Sequence, residues 1–250
     1  MSSYPNPSIN GRWGLLHILV LVFCIGLILL VSLTLRKKSE KAKRIVLWVL
    51  AALILVFEVT RRIVNFIKAD TLDFNSVMHI LLPRPWCAIS CWALMLSTII
   101  NKKFFYNFTS ITSLLCALVF FAYPGVGFNN EYILFENLYS IATHSLVLVM
   151  SILLITLRFT KFEYKNCWKE AICFVALLIY ALLEIYVLKI ESDPMYFMPG
   201  NDVMEILGVN YGAFLAIYIV FMLVYFNIFY LIDDRKTVFR KRVKPHKNVG

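Results

Sequence analysis

Two side chains in this sequence, a cysteine and a histidine, are suited to covalent chemistry. Cys87 follows Pro83 and Pro85, which break or delay a helix, so we expect regular helix to begin at about Cys87. Backbone N–H groups at a helix N-terminus favour a thiolate, which makes this thiol the most nucleophile-like in the chain. His144 stands in the middle of an apolar stretch with no partner in its own helical turn. A histidine that reaches such a cysteine can serve as its general base.

Both residues also have purely structural interpretations. Cys87 can be a packing residue at a proline-kinked helix start, which is the commonest fate of a buried thiol. His144 can be a hydrogen-bond donor between helices, which is worth about 1 kcal/mol in a membrane. The remaining cysteines lie within or at the ends of apolar segments, without the paired loop spacing that predicts disulfides: Cys24, Cys91, Cys116, Cys167 and Cys173.

Four polar residues cluster in the second apolar segment: Glu58, Arg61, Arg62 and Asn65. Their spacing places Glu58, Asn65 and one or both arginines on a single helical stripe. An ionisable group in hydrocarbon costs about 2.5 to 3.5 kcal/mol on insertion scales, so it normally faces a bundle interior or a watery cavity. We therefore predict that the stripe binds substrate. The alternative is an ion pair between Glu58 and Arg62 that holds the bundle together, with the other arginine reaching the outer headgroups.

Four further residues complete the predicted binding set. His79 and Arg84 lie in a segment, residues 79–86, that is predicted to be bent and to lead into the next helix. Asn210 stands where the N-cap of the last long helix is expected, and Tyr211 follows it. Tyr211 can instead be an aromatic residue of the membrane interface.

These residues belong to apolar segments that are long enough to cross a bilayer. A hydrocarbon core roughly 30 Å thick needs roughly 20 helical residues. The composition, 60% hydrophobic and 16% charged, excludes an ordinary soluble domain, in which about a quarter of the residues are charged. We predict an all-α polytopic membrane protein, a seven-transmembrane-helix bundle forming one domain over residues 1–250. The predicted spans are 13–35, 45–67, 77–100, 104–123, 133–157, 168–189 and 209–232.

Positive charges predict how this bundle is oriented. Nineteen of the 25 Lys and Arg residues fall in the C-terminal tail and in one alternate set of the predicted loops. Basic loops stay cytoplasmic, so we predict a multi-pass cell-membrane protein with its N-terminus outside and its C-terminus in the cytoplasm. Such loops and tail beside anionic lipid account for the net charge of +10. Membrane lipids are therefore the expected partners, and nucleic acid is not.

Three short motifs resemble the YwaF family of bacterial integral membrane proteins. They are a Leu-Pro pair followed by Cys-x-Ile-Ser, a histidine two helices later, and Gly-x-Asn-Tyr near the last helix. In this chain they correspond to residues 82–83, residues 87–90, His144 and residues 208–211. That family is similar to the animal membrane acyltransferases that remodel ether phospholipids through a cysteine and a histidine.

The resemblance implies that Cys87 accepts an acyl group and that His144 acts as the base. The family's typical Leu-Pro-Leu-His-x-Cys carries a histidine where this chain has Pro85, and the sequence leaves open whether His79 takes its place. A cysteine activated in this way can attack an ester carbonyl, hold the acyl group as a thioester, and pass it to an alcohol or to water. An arginine can bind the phosphate of the lipid headgroup.

The leading hypothesis is therefore a Cys/His lipid acyltransferase or lipid hydrolase that acts within the outer half of the bilayer. The alternative is a protein that binds or transports a small anionic solute in an outer pocket lined by Arg61, Arg62 and Arg84, without catalysis. A haem or metal held by His79 and His144 is a third possibility, although no cofactor or metal is predicted. Retinal chemistry is disfavoured because the seventh span has no lysine to form a Schiff base.

Overall fold

The computed structural model describes residues 4–5, 13–84, 86–122, 128, 132–189, 193 and 195–243, most of which are helical. The helices are α1 (Leu15–Leu35), α2 (Glu40–Lys68), α3 (Phe74–Leu81), α4 (Trp86–Ile100), α5 (Lys103–Ala122), α6 (Phe135–Thr156), α7 (Cys167–Leu182), α8 (Asp202–Leu207) and α9 (Tyr211–Val243). A 3₁₀ turn (Tyr164–Asn166) leads into α7, and a π-helical turn (Leu183–Leu188) continues it. One antiparallel pair of two-residue strands, β1 (Tyr4–Pro5) and β2 (Tyr132–Ile133), accompanies them. This short pair apart, the predicted all-helical class is confirmed.

Five helical stretches of the described chain are long and apolar enough to cross a membrane: Leu15–Leu35, Lys103–Ala122, Phe135–Thr156, Tyr164–Leu188 and Tyr211–Asp233. The pair α3 and α4, bent by 58°, adds a sixth if it forms one broken span. α2 is also long, but Glu58, Arg61 and Arg62 make it too charged for a count based on length and composition. The predicted class of multi-pass membrane protein is confirmed, with five or six such candidate spans against the seven predicted.

The break between α3 and α4 follows from the sequence. Asp73 caps α3, because its carboxylate accepts a backbone N–H of the first turn at 2.7 Å, and this hydrogen bond lowers the pKa of the Asp73 carboxyl. α3 ends before Pro83, which cannot continue a helix. α4 begins at Trp86, so the prediction that regular helix begins at about Cys87 is confirmed. The bend is shorter than predicted, because His79 lies inside α3.

α5 and α6 form the centre of the bundle. α6 packs against α1, α2, α4 and α5, and α5 also packs against α4 and α7. α7 and α9 bury little of their apolar surface, which suits helices that face lipid. The main apolar core lies where the other helices meet, and its most deeply buried members include Leu47, Ile54, Leu94, Val147 and Leu153.

Contacts at the helix ends define two faces of the bundle, because the long helices alternate in direction along the chain. Lys68 at the end of α2 forms an ion pair with Glu136 at the start of α6. Ser32 near the end of α1 is hydrogen-bonded to Thr156 at the end of α6, with 2.9 Å between the hydroxyl oxygens. We call the first end of the bundle the Lys68 face and the opposite end the Thr156 face.

Candidate active site

One cavity brings Cys87 and His144 together, although they belong to different helices. It has a volume of about 240 Å³ and lies between α2, α4 and α6. α2 and α4 both pack against α6, so polar residues from three separate segments meet here. The wall is formed by Glu58, Arg61, Asn65, Cys87, Ala88, Cys91, Phe135, Glu136, Tyr139, Ser140, Thr143 and His144.

The imidazole of His144 is held in one tautomer. Its Nδ1 lies 2.7 Å from the carbonyl oxygen of Ser140, one helical turn earlier. A carbonyl oxygen only accepts, so Nδ1 carries the proton and Nε2 keeps a lone pair that can take one up. The ring also stacks on Phe120, with centroids 3.7 Å apart and planes 8° from parallel. The prediction that this histidine has no partner in its own turn is wrong, because the partner is a backbone atom.

Cys87 lies in the first turn of α4, as the prolines predict. N–H groups at the start of a helix have no carbonyl partner within it, and they favour negative charge nearby. The thiol is half-buried, forms no disulfide and lines the same cavity as His144. Among the described residues, no hydrogen bond joins this thiol directly to the imidazole. A proton that passes between them therefore crosses a bridging water or an atom of the substrate.

Glu58 is the central charge of the α2 side of the wall. Its side chain is completely buried, and a buried carboxylate is costly unless it is paired and hydrogen-bonded. Oε2 lies 2.6 Å from Arg62 Nη1 and 3.5 Å from Arg61 Nη2, and the Tyr139 hydroxyl donates to Oε1. Two guanidinium groups, which are always charged, therefore surround one carboxylate. This leaves one positive charge in excess beside the cavity.

Arg61 brings unused hydrogen-bonding capacity to the cavity wall. Its guanidinium lies over the Tyr139 ring, 5.4 Å from the centroid. Its Nε–H is buried and donates to no acceptor in the part of the chain that the structure describes. An unsatisfied buried donor costs about 1 to 3 kcal/mol, so a ligand oxygen that accepts from it gains stability. Together with the excess positive charge, this donor favours an anionic ligand.

Arg62 connects helices and does not line the cavity. Its Nη1 also donates to the Glu58 carbonyl at 2.9 Å, and its Nε donates to the Leu81 carbonyl at 3.2 Å. The guanidinium lies 5.1 Å from the centroid of the Trp92 ring in α4. Both arginines pair with Glu58, and their side chains are only 20% (Arg61) and 11% (Arg62) exposed. The ion pair between Glu58 and Arg62, which the alternative from the sequence predicts, is therefore present. The other arginine, Arg61, also pairs with Glu58 and does not extend alone to the headgroups.

The residues predicted near the start of α4 are divided between the cavity and its surroundings. Asn65 lines the cavity, near the end of α2. His79 and Arg84 are not part of its wall. Arg84 Nε instead donates to the His79 carbonyl at 3.2 Å, which stabilises the turn between α3 and α4. Pro85, which stands at the family's histidine position, lies outside the described residues.

Asn210 and Tyr211, predicted from the start of the last long helix, also lie away from this wall. Asn210 caps α9 as predicted, because its Oδ1 accepts the backbone N–H of Ala213 at 2.9 Å. Tyr211 is 37% exposed in the first turn of the same helix. This exposure fits the interpretation of Tyr211 as an interfacial aromatic residue.

Several residues that contact the site were not identified from the sequence, and three of them contact its key side chains: Tyr139, Ser140 and Phe120. Tyr139 and Ser140 precede His144 by about one turn of α6, so the helical period counted back from His144 would have indicated them. Phe120 comes from α5, and no sequence pattern links it to His144. Its position depends on how α5 and α6 pack.

Two buried carboxylates outside this cavity were also missed. Glu184 is completely buried in the π-helical turn, and turns of this kind are frequent at functional sites. Glu170 is buried in the first turn of α7, where Oε1 accepts from Asn107 Nδ2 at 2.7 Å. Both are ionisable residues inside apolar segments, and that is the signal that would have found them.

A shared haem or metal site for His79 and His144 requires both at one pocket, and only His144 lines the cavity. Within the described residues, no group of three or more His, Cys, Asp or Glu side chains is arranged to hold a metal ion. The polar groups of the cavity are instead a thiol, an imidazole, an amide, hydroxyls and ion-paired side chains. These groups are suited to proton transfer and to binding an anion.

Comparison with known proteins identifies one family. The model of the TMEM164 family matches residues 11–233, which is most of the chain. This is the animal Cys/His acyltransferase-like family, so the predicted resemblance is confirmed at that level, while the match does not carry the YwaF name. No curated protein and no solved structure matches the chain.

Proposed function

The chain belongs to the TMEM164 family, and we propose that it is a membrane-embedded acyltransferase or hydrolase that acts on a lipid ester. Cys87 is the nucleophile and His144 is the general base. The observation that carries the proposal is their shared cavity, which also contains Arg61. The cavity thus contains a thiol at a helix N-terminus and an imidazole with an unprotonated Nε2. The excess positive charge of the arginines around Glu58 lies beside them.

The first half-reaction transfers an acyl group to the enzyme. His144 Nε2 takes the Cys87 thiol proton through a bridging water or an atom of the substrate, while the sulfur attacks the ester carbonyl carbon. The tetrahedral intermediate then collapses, the bond to the alcohol oxygen breaks, and the imidazolium returns the proton to the leaving alcohol. The acyl group remains on Cys87 as a thioester.

The second half-reaction releases the acyl group. Another alcohol, or water, gives its proton to the imidazole and attacks the thioester carbon. The carbon–sulfur bond breaks, and the Cys87 thiolate regains the proton from the imidazolium. An alcohol acceptor makes the protein an acyltransferase, and water makes it a hydrolase.

The fixed charges of the cavity suit the charges of this reaction. The N–H groups at the start of α4 can stabilise both the thiolate and the oxyanion of the tetrahedral intermediate. Arg61 can donate its unused Nε–H to a phosphate oxygen of a lipid headgroup. Tyr139 and Glu58 hold the Arg61 side chain in place.

The proposal includes seven spans, with α2 and the bent pair α3 and α4 each crossing the membrane. The charge that makes α2 unusual is partly neutralised within the helix, since Glu58 pairs with both arginines. The basic segments 36–44 and 158–169 lie at the Thr156 face, which supports the proposal that this face is cytoplasmic in a cell membrane and that the N-terminus is outside. Glu136 at the Lys68 face lines the cavity, so a lipid enters from the outer leaflet.

Acyl labelling tests the proposed chemistry directly. Purified protein incubated with a phospholipid that carries an alkyne-tagged acyl chain should gain a label that hydroxylamine removes. Cys87→Ala should abolish the label, because the thioester forms on the sulfur of this residue and not on Cys91, the other cysteine of the cavity. His144→Ala should reduce the labelling rate by roughly 10²-fold or more, the usual contribution of a general base.

The control is Cys173→Ala, which removes a half-buried cysteine of α7 that does not line the cavity. It should label at the same rate as the unmodified protein. Labelling that survives both Cys87→Ala and His144→Ala would overturn the assignment of nucleophile and base.

A protein that binds or transports an anionic solute is the second candidate, favoured by the unused Nε–H of Arg61. In that case Arg61→Gln removes anion binding while Cys87→Ala leaves it unchanged. Arg84, the third arginine of that hypothesis, does not line the cavity. An acyl label on Cys87 would exclude this candidate as the main function.

A further inference from the structure

A second and larger cavity is an apolar groove between α7 and α9. Its volume is about 580 Å³, and its walls are mainly aliphatic and aromatic side chains, among them Leu178, Leu182, Leu215 and Met222. Glu170 and Tyr230 contribute polar atoms at the end nearer the Thr156 face. Its walls are helices that bury little of their surface, so the groove lies where the bundle meets lipid.

The two helices that form the walls of the groove, α7 and α9, both contact α5. α7 packs against α5, and Tyr225 of α9 donates its hydroxyl to the Ile111 carbonyl of α5 at 2.8 Å. Phe174 and Phe226 meet between α7 and α9, with ring centroids 5.6 Å apart. A helix is about 10–12 Å across with its side chains, and two helices that already meet through these rings leave no room for another between them. The groove volume of about 580 Å³ can hold a hydrocarbon chain.

One layer of side chains separates the groove from the nucleophile. Trp86, Leu115, Cys116 and Met222 form a buried apolar cluster, and Cys87 packs against it. The cluster is also in contact with Phe174, Tyr218 and Phe226, which line the groove together with Met222. Cys87 therefore has the polar cavity with His144 on one side and the wall of the apolar groove on the other.

We propose that the groove between α7 and α9 holds the acyl chain of the lipid whose carbonyl group reacts at Cys87. This inference rests on the proposed function and adds the binding site for the apolar part of the substrate. Along α7 the groove extends from Cys167 to Leu182, about 22 Å at the helical rise. One leaflet contributes about 15 Å to the hydrocarbon core, so the groove is long enough for one acyl chain.

The two cavities divide the substrate by its chemistry. The polar cavity offers Arg61 and the helix N-terminus to the headgroup and the reacting carbonyl, while the groove offers apolar surface to the chain. Burial of hydrocarbon in the groove stabilises binding, although a chain that leaves lipid gains far less than one that leaves water. The groove therefore serves mainly to align the ester with Cys87 and to select chain length.

Photo-crosslinking in the Cys87→Ala background tests the groove without requiring catalysis. The probe is a phospholipid with a diazirine midway along one acyl chain, incorporated in phosphatidylcholine nanodiscs. Leu178→Trp fills the groove, whereas Ile179→Trp adds the same bulk at the next position, which is 53% exposed and not part of the groove wall. We expect mass spectrometry to find lipid adducts on α7 and α9 that fall at least tenfold in Leu178→Trp and less than twofold in Ile179→Trp.

The outcomes separate the groove from the chemistry. Adducts that persist in Leu178→Trp, or adducts lost equally in both tryptophan variants, would overturn the groove as the acyl-chain site. A second copy of the chain covering the groove would leave α7 and α9 without adducts, which would also overturn it. Adducts in the groove together with no acyl label on Cys87 in the unmodified protein would remove the proposed function and leave a lipid-binding groove.

Selection of chain length provides the link between groove and nucleophile. In protein that retains Cys87, Leu178→Trp should reduce labelling by a long-chain donor at least tenfold relative to a short-chain donor. Leu178→Ala, which widens the groove, should shift the ratio in the opposite direction. Equal changes for both donors in both variants would show that the groove does not hold the reacting chain.

Discussion

Glu40 and Glu58 form ion pairs of the same spacing in the same helix but in opposite environments. In each pair an arginine lies four residues later, with 3.0 Å between Glu40 and Arg44 and 2.6 Å between Glu58 and Arg62. The Glu40 side chain is 71% exposed, whereas that of Glu58 is completely buried. Exposed pairs contribute about 0–1 kcal/mol, because water screens them. Because Glu58 is buried, we expect that breaking its ion pair lowers the free energy of unfolding more than breaking the pair of Glu40.

Glu58→Gln should lower the free energy of unfolding by about 3–5 kcal/mol, since it leaves two guanidinium groups without their countercharge. Glu40→Gln is the matched control and should cost no more than about 1 kcal/mol. Thermal or denaturant unfolding of the two variants in the same detergent measures the difference. Equal losses would contradict a buried role for Glu58 and would mean that water reaches its carboxylate.

Single residues of the site were predictable from the sequence when an ionisable or nucleophilic side chain stands in an apolar segment. Glu58, Cys87 and His144 meet that description. Tyr139 and Phe120 do not, because an aromatic side chain is ordinary in a membrane helix. Their contacts with Glu58 and His144 depend on how α5 and α6 are rotated about their axes. That rotation is set by packing between helices that are distant in the sequence.

Helix starts were the most predictable features of the elements. The prolines before α4 predict the position of Cys87, and the side chain of Asn210 predicts the start of α9. The pairing of helices was not predictable in the same way, so neither the cavity of Cys87 nor the groove between α7 and α9 follows from local patterns. The sequence also did not predict that His79 lies in α3, because a short helix before the prolines leaves no strong periodic signal.

Two roles of Asn210 can be tested against each other: capping of α9 and binding of substrate. If it only caps α9, Asn210→Ser should retain stability, because serine is also a good N-cap. Asn210→Ala should then cost about 1 kcal/mol. Both variants should form the acyl label on Cys87 at the normal rate. A loss of labelling in Asn210→Ser with stability unchanged would instead assign Asn210 to substrate binding.

The molecule as a whole carries its positive charge at one end. The basic segments that follow α1 and α6 lie at the Thr156 face, whereas the ion pair of Lys68 and Glu136 lies at the opposite face. The cavity of Cys87 is near the Lys68 face, since Asn65 and Glu136 line it. The orientation of the chain therefore decides from which leaflet a lipid reaches the nucleophile.

Labelling of single cysteines in intact cells tests this orientation. In a background in which the six natural cysteines are replaced by alanine, Asp70→Cys should react with a membrane-impermeant maleimide. Lys165→Cys, which is as exposed but lies at the Thr156 face, should react only after the membrane is permeabilised. The reason is that basic loops remain cytoplasmic. The reverse pattern would place the cavity in the cytoplasmic leaflet and would require the lipid substrate to enter from that side. External reaction of both positions would mean that an even number of spans separates them, and therefore that the pair α3 and α4 does not cross.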